Sequence, residues 1–165
     1  MRRAFVALSV GVAVLLVSAG IASATHSEGT GPAMDLVVGT GEIQTPPIVV
    51  KLHVNATSGP AGENPTGHAH FAGNPPPIGA LEFQARVTCL NVVGNRATVG
   101  LVITHSMEGP IPEGFGGLFS VTDGGDLSPD AFEGFPVFPP PVFCPPPLGG
   151  RQISEGNFIV HDATP

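Results

Sequence analysis

The chain has 165 residues, of which 6 are Lys or Arg and 13 are Asp or Glu, for a net charge of −7 at neutral pH. That balance excludes the phosphate-neutralising surface a nucleic-acid binder needs, and it disfavours docking on an anionic membrane. Trp and Tyr are absent, so the flat amphipathic rings on which sugar-binding modules usually stack pyranoses are missing.

Met1 to Ala24 has the parts of an export signal. Arg2 and Arg3 form a basic head, Ala4 to Val17 is an apolar run of about 14 residues, and Ala22-Ser23-Ala24 supplies small residues for cleavage. The run is short for a membrane span, which needs about 20 residues, and no second run of that length follows. No cysteine follows it to make a lipoprotein signal. Cleavage after Ala24 leaves four basic residues (Lys51, Arg86, Arg96, Arg151) against thirteen acidic ones, a net charge near −9. Residues 25–34 read as a flexible lead, and 35–165 as a single β domain.

The first strand is expected over Asp35 to Ile43. The second, Ile48 to Val54, alternates cleanly, with Ile48, Val50, Leu52 and Val54 on one face and Val49, Lys51 and His53 on the other. After the turn residues of Asn55 to Asn64, a third strand runs through Gly67 to Ala72 and ends at Gly73-Asn74 and the prolines 75–77. Leu81, Phe83, Ala85, Val87 and Cys89 then share an apolar face. On the return strand Ala97, Val99, Leu101 and Ile103 do the same. Gly94-Asn95 is a tight hairpin corner. A two-residue corner carried on without interruption sets Thr88 opposite Leu101, and a three-residue one sets Asn91 beside Ala97. Either a bulged three-residue turn or a bulge near Cys89 resolves the conflict, so an irregularity is expected between Thr88 and Val93. Phe115 to Asp123 and Gly156 to Asp162 are the remaining strands. Between them, residues 124–150 read as a long loop containing "FPVFPPPVFCPPPLGG", where seven of the twelve residues from Pro136 to Pro147 are proline. Such a segment is extended and stiff, and cannot run as a central strand. No long helix is visible, and the fold class is all-β, a small antiparallel β-barrel or sandwich with a long proline-rich loop.

Cys89 and Cys144 are the two cysteines. In an exported domain they read as one disulfide that ties the proline-rich loop to the hairpin. There is no CxxC pair for redox exchange.

The runs "VTCLNVVGNRATVG" (Val87 to Gly100), "FSVTDGGDLSPDAF" (Phe119 to Phe132) and "GNFIVHDA" (Gly156 to Ala163) stand in a recognisable order. Together they resemble a family of uncharacterised exported bacterial β-domain proteins with a V-T-C-L-x-V-x-G-N-x-A hairpin and a terminal G-N strand. The resemblance covers about half of the mature chain. It implies an exported β domain and no catalytic residues. The proline-rich insertion around Cys144 departs from the family pattern.

Four constellations carry candidate chemistry. In "GHAHF", His68 and His70 leave the same face of a strand and are candidate metal ligands, with a third from His53, His105, His161 or Glu82. Against this, Ala69 and Phe71 make the better core face, which leaves both imidazoles in solvent. Asp123, Asp126 and Asp130 form an acidic loop of a kind that binds calcium, although its spacing is not that of an EF-hand and turns commonly carry such residues. His105-Ser106 is adjacent but lacks the G-x-S-x-G elbow of a positioned nucleophile. Six phenylalanines from Phe115 to Phe143 form either a contact patch or, on the preferred reading, a cover over the open end of the barrel. The function expected from the sequence is a secreted or extracytoplasmic, non-enzymatic domain with a structural or interaction role and no cofactor. Its partner would be a cell-surface or extracellular protein. A small-ligand or metal-binding barrel using His68 and His70 is the alternative, and a hydrolase or isomerase with its site in the barrel mouth the third.

Overall fold

The computed structural model describes residues 33–163. The expected signal peptide, residues 1–24, lies outside the described residues, as does all of the lead except Ala33 and Met34. Nine strands follow: β1 (Asp35–Thr45), β2 (Ile48–Ser58), β3 (Thr66–Gly73), β4 (Leu81–Val93), β5 (Arg96–Glu108), β6 (Gly116–Thr122), β7 (Ala131–Val137), β8 (Arg151–Gln152) and β9 (Glu155–His161). All pairs are antiparallel, and the order across the sheet is β8-β7-β6-β5-β4-β3-β2-β1-β9. The described strands belong to one compact unit, Gly31–Pro165. The expected all-β class is what the chain forms, and the sheet curls into a partly open barrel.

The curl is completed by the last stretch of chain. Arg151 and Gln152 pair with β7, whereas β9, two residues later, pairs with β1 at the opposite edge. Between them Ile153 N donates to Asp130 O and Ser154 N to Glu42 O, so consecutive amides face opposite edges. Where the backbone ladder is missing, side chains take its place. The Asp130 carboxylate accepts from Phe158 N and the Asp123 carboxylate from Val160 N. A carboxylate receiving backbone N–H groups makes a charge-assisted bond stronger than a neutral one.

Alternation of β-branched and aromatic residues builds the interior. Val37, Leu52, Val54, Val87, Val99, Leu101, Val121 and Phe158 are all at most 1% exposed and point into one cluster. Phe71 stacks on Phe83 and tilts against Phe119, while Phe132 meets Phe158 edge to face. Gly41 leaves the room that the Phe158 ring fills, since a Cβ there would fall inside the ring's van der Waals surface.

The hairpin of β4 and β5 turns on the two-residue Gly94-Asn95 corner, one of the two loop lengths the sequence allows, with Val93 opposite Arg96 and Leu90 opposite Val99. Cys89 pairs with Gly100 and Val87 with Leu101, so the bulge falls on Thr88, at the first position of the expected interval. Two more register shifts occur, between Glu82 and Phe83 and between Gln84 and Ala85, which the sequence did not suggest. The bulge has a consequence that strict alternation misses. Leu81, Phe83, Ala85 and Val87 face inward as expected, but beyond Thr88 the parity inverts and Leu90 and Val92 enter the core. Cys89 therefore leaves the core face to which alternation assigned it and lies on the outside of the sheet beside Gly100.

There it meets Cys144 across a disulfide with Cα atoms 5.5 Å apart. The expected 124–150 loop is two things in the structure. Ala131–Val137 is a strand, β7, which tolerates Pro136 because only Ala131 and Phe132 are paired on its far side. Residues 138–150 form an extended strap across the outer face of β4, β5 and β6. Pro140 and Pro141 lie over Gly116, Pro141 also reaches Gly100, and Leu148 N donates to Ser120 Oγ. Asn91 Nδ2 donates to Cys144 O beside the disulfide. With core on one side and strap on the other, β5 is buried without a break from Ala97 to Leu101. The strap, with Phe138 and Phe143, covers the wall of the barrel and not its open end, which corrects the preferred reading for those two phenylalanines. Phe119, Phe132 and Phe135 do line the hollow of the barrel mouth.

Candidate functional site

Three outer features and one hollow hold the residues singled out from the sequence. On β2, β3 and β4, Ala69 and Phe71 are buried and their neighbours His68 and His70 face solvent, as the alternation required. The register sets His53 directly opposite His70 and Asn55 opposite His68. By register His53 thus adjoins both histidines of the H-A-H triplet, and its ring lies 6.2 Å from that of His68, tilted by 38°. His53 Nδ1 is 2.9 Å from Thr40 Oγ1, and His70 Nε2 is 3.0 Å from Glu82 Oε1. Arg86 stands across β4 from His68. Of the other proposed third ligands, His105 pairs with Glu113 at 3.1 Å, and His161 lies opposite Leu36 at the far end of β1. Among the described residues, no group of three or more His, Cys, Asp or Glu side chains, as they stand, could hold a metal ion. Farther along the same outer surface, the Lys51 ammonium sits 2.6 Å from Glu42. Its hydrogen bond, helped by one from Gln44, holds the Glu42 carboxyl below the usual carboxylate range.

The acidic loop has other work. Asp130 is buried, and its two oxygens accept from Gly124 N and Phe158 N. Asp123 accepts from Gly125 N and Val160 N. Asp126 is exposed and joins neither set. The first two carboxylates face backbone N–H groups of the loop and the last strand, at the barrel seam, and no group of three acidic side chains that could hold a metal ion is found among the described residues. Asp35 and Asp162 extend this pattern, accepting from Ala163 N and Gly94 N. Sequence reasoning missed that role, because which amides an aspartate meets depends on strands up to 128 residues away.

The mouth of the barrel holds a cleft of about 240 Å³ adjoining a smaller hollow of about 60 Å³. Ile43, Val50, Phe71, Ile78 and Phe135 dominate the walls. The titratable lining groups are Glu133 and Arg151, which pair with each other at 3.1 Å. This is an apolar recess, unlike the polar pocket of converging titratable groups that acid–base catalysis uses. Ser106 Oγ donates to Ile111 O, so the His105-Ser106 neighbours form no nucleophile–base pair.

The strap carries four exposed large apolar side chains, more than any other segment of the described residues, although Leu127 on the acidic loop is the most exposed single one. Phe138 is 71% exposed, Val142 90%, Phe143 76% and Leu148 60%. Phe119 and Phe132, by contrast, are core residues, and Phe115 packs on Phe138 with ring centres 4.8 Å apart. The six phenylalanines of the sequence therefore divide between plug and surface. No protein-family model, curated protein or solved structure matches this chain.

Proposed function

We propose that this protein is an exported, non-enzymatic β domain that engages another extracytoplasmic protein through its proline-rich strap. The observation that carries this reading is the exposure of Phe138, Val142, Phe143 and Leu148 on a segment fastened by a disulfide. Exposed apolar side chains that lie together mark contact sites, and Val142 and Phe143 are neighbours in the chain. Proline-dense chain is also pre-organised. It loses little entropy on binding, and its conformation suits grooves lined with aromatic rings. The partner that fits is a protein with such a groove, which takes Val142 and Phe143 as side-chain anchors. The acidic balance of the chain counts against nucleic acid and against anionic lipid. The open part of the β7 edge offers little for strand addition, since it carries Glu133, Gly134 and Pro136. The leader pattern, the disulfide and the family resemblance of the hairpin all agree with an extracytoplasmic location.

A photo-crosslinker placed at Val142 in the producing cell tests the reading. One discrete adduct is expected, competed away by a synthetic peptide of residues 136–148 and lost when Phe143 is changed to Ser. An adduct pattern indifferent to the peptide, or identical to that from a crosslinker at exposed Ile159, would overturn it.

A further inference from the structure

Five of the six histidines lie in the described part of the protein, and three of them meet on one patch of the outer wall. His68 and His70 project from β3 two residues apart, and His53 projects from the adjacent β2, directly across from His70. We propose that His53, His68 and His70 form a three-imidazole site for a divalent ion of the zinc class, with Thr40 and Glu82 orienting the ligating rings. The site is independent of the strap and of the reading built on it.

Three features carry the proposal. The first is the backbone. The ligands stand on strands in the interior of the sheet, over the buried residues Leu52, Val54 and Ala69, so their Cα positions are fixed by the core. Only side-chain torsions have to change to bring the rings together. The second is the distance. Zinc–nitrogen bonds of about 2.0–2.1 Å at a tetrahedral angle put two ligating ring centres about 5 Å apart. The rings of His53 and His68 stand at 6.2 Å, so a shift of about 1 Å closes the pair.

The third feature concerns the far side of each ring. A metal-bound imidazole typically donates its other N–H to a carboxylate, hydroxyl or carbonyl, which fixes the tautomer and strengthens the ligand. His70 already engages Glu82 through Nε2, which leaves Nδ1 for a metal. His53 already engages Thr40 through Nδ1, which leaves Nε2. Two of the three rings thus have their outer partners in place. Imidazoles without thiolates favour zinc, copper and nickel over calcium or magnesium. Three protein ligands leave the fourth position open. Arg86, opposite His68 on β4, adds a positive charge nearby, so an anion such as hydroxide or a ligand carboxylate is expected to complete the coordination.

The test uses the full chain, exported, free of any affinity tag, with its disulfide intact and stripped by chelator. Titration with Zn²⁺ alone, followed by calorimetry, is expected to show one ion per chain. His53→Ala, His68→Ala and His70→Ala should each weaken binding at least about tenfold. Glu82→Gln should weaken it by about tenfold, in the range known for outer-shell partners. His105→Ala and His161→Ala should leave it unchanged. Co²⁺ in place of Zn²⁺ should give the visible absorption of a four-coordinate site. Because the three ligands are on the solvent face, the metal-free variants should unfold at the wild-type temperature, which separates a lost ligand from a lost fold. No saturable one-to-one binding would overturn the proposal. So would binding that survives the triple His→Ala variant, or that falls equally in His105→Ala.

Discussion

Asp130 shows how a residue that looks like a metal ligand in sequence becomes a structural one. It is 6% exposed, and its two oxygens take the amides of Gly124 and Phe158, so it joins the acidic loop to the final strand. Removing the carboxylate strands two backbone donors in a partly or fully buried place, and an unsatisfied buried donor costs about 1–3 kcal/mol. Asp130→Ala is therefore expected to destabilise the protein by about 3 kcal/mol, seen as a lower urea midpoint. Asp130→Asn keeps one acceptor oxygen and should fall between that variant and the wild type. Asp126→Ala, on the exposed part of the same loop, should stay within about 0.5 kcal/mol. Equal losses at positions 126 and 130 would contradict this account of the seam.

At the scale of elements, the strap and the bulge depend on each other. The extra residue at Thr88 turns Cys89 outward, and Gly100 opposite it leaves the space in which the disulfide sits; a Cβ at Gly100 would overlap both the Cys89 sulfur and Pro141. The sequence located β1 to β6 and β9, most clearly β2 and the hairpin strands β4 and β5, whose inward apolar residues recur with period two. It also placed the Gly94-Asn95 corner and the pairing of the two cysteines. It did not find β7, where Gly134 and Pro136 break the pattern, nor which wall the strap would cross. That route depends on glycines spread over two other strands, Gly100 and Gly116, which in sequence look like weak points of a strand. The histidine patch was half legible. The H-A-H spacing fixed two rings on one face, but choosing His53 over His105 or His161 required the register of β2 against β3. The disulfide closes a loop with a sequence separation of 55, for which chain entropy gives roughly 4 kcal/mol as an upper figure. A Cys89→Ala, Cys144→Ala double variant should lose about 3–4 kcal/mol. It should also become cleavable within residues 138–150 under limited proteolysis, while β1 to β3 keep their slow amide exchange. A strap that stays resistant without the disulfide would show that prolines alone hold it down.

The whole molecule separates a dry interior from the surfaces on which function is proposed. Inside, phenylalanines from five different strands, Phe71, Phe83, Phe119, Phe132 and Phe158, fill the barrel. Outside, the histidine patch occupies the wall of β2 to β4 and the strap the wall of β4 to β6. Neither feature needs the barrel to open, and the chain gains from keeping it shut, since a gap between β7 and β1 would expose strand edges and core together. The last strand is what prevents this. It contributes one fully buried aromatic ring, Phe158, which sits over Gly41 and against Phe132, and its amide is held by Asp130. Phe158→Ala is expected to cost about 3–5 kcal/mol, the range for deleting a fully buried aromatic ring and leaving a cavity. The loss should be global. β9 carries the contacts that bring the two sheet edges together, so its detachment releases both edges at once. Unfolding followed by near-ultraviolet absorbance of phenylalanine and by far-ultraviolet circular dichroism should therefore shift together to lower denaturant. Ile159→Ala, one residue along and half exposed, should leave the midpoint close to wild type. If Phe158→Ala instead melted β9 alone, with β2 to β6 unfolding at the original midpoint, the barrel would have to be stable as an open sheet and the seam would be an accessory to the fold.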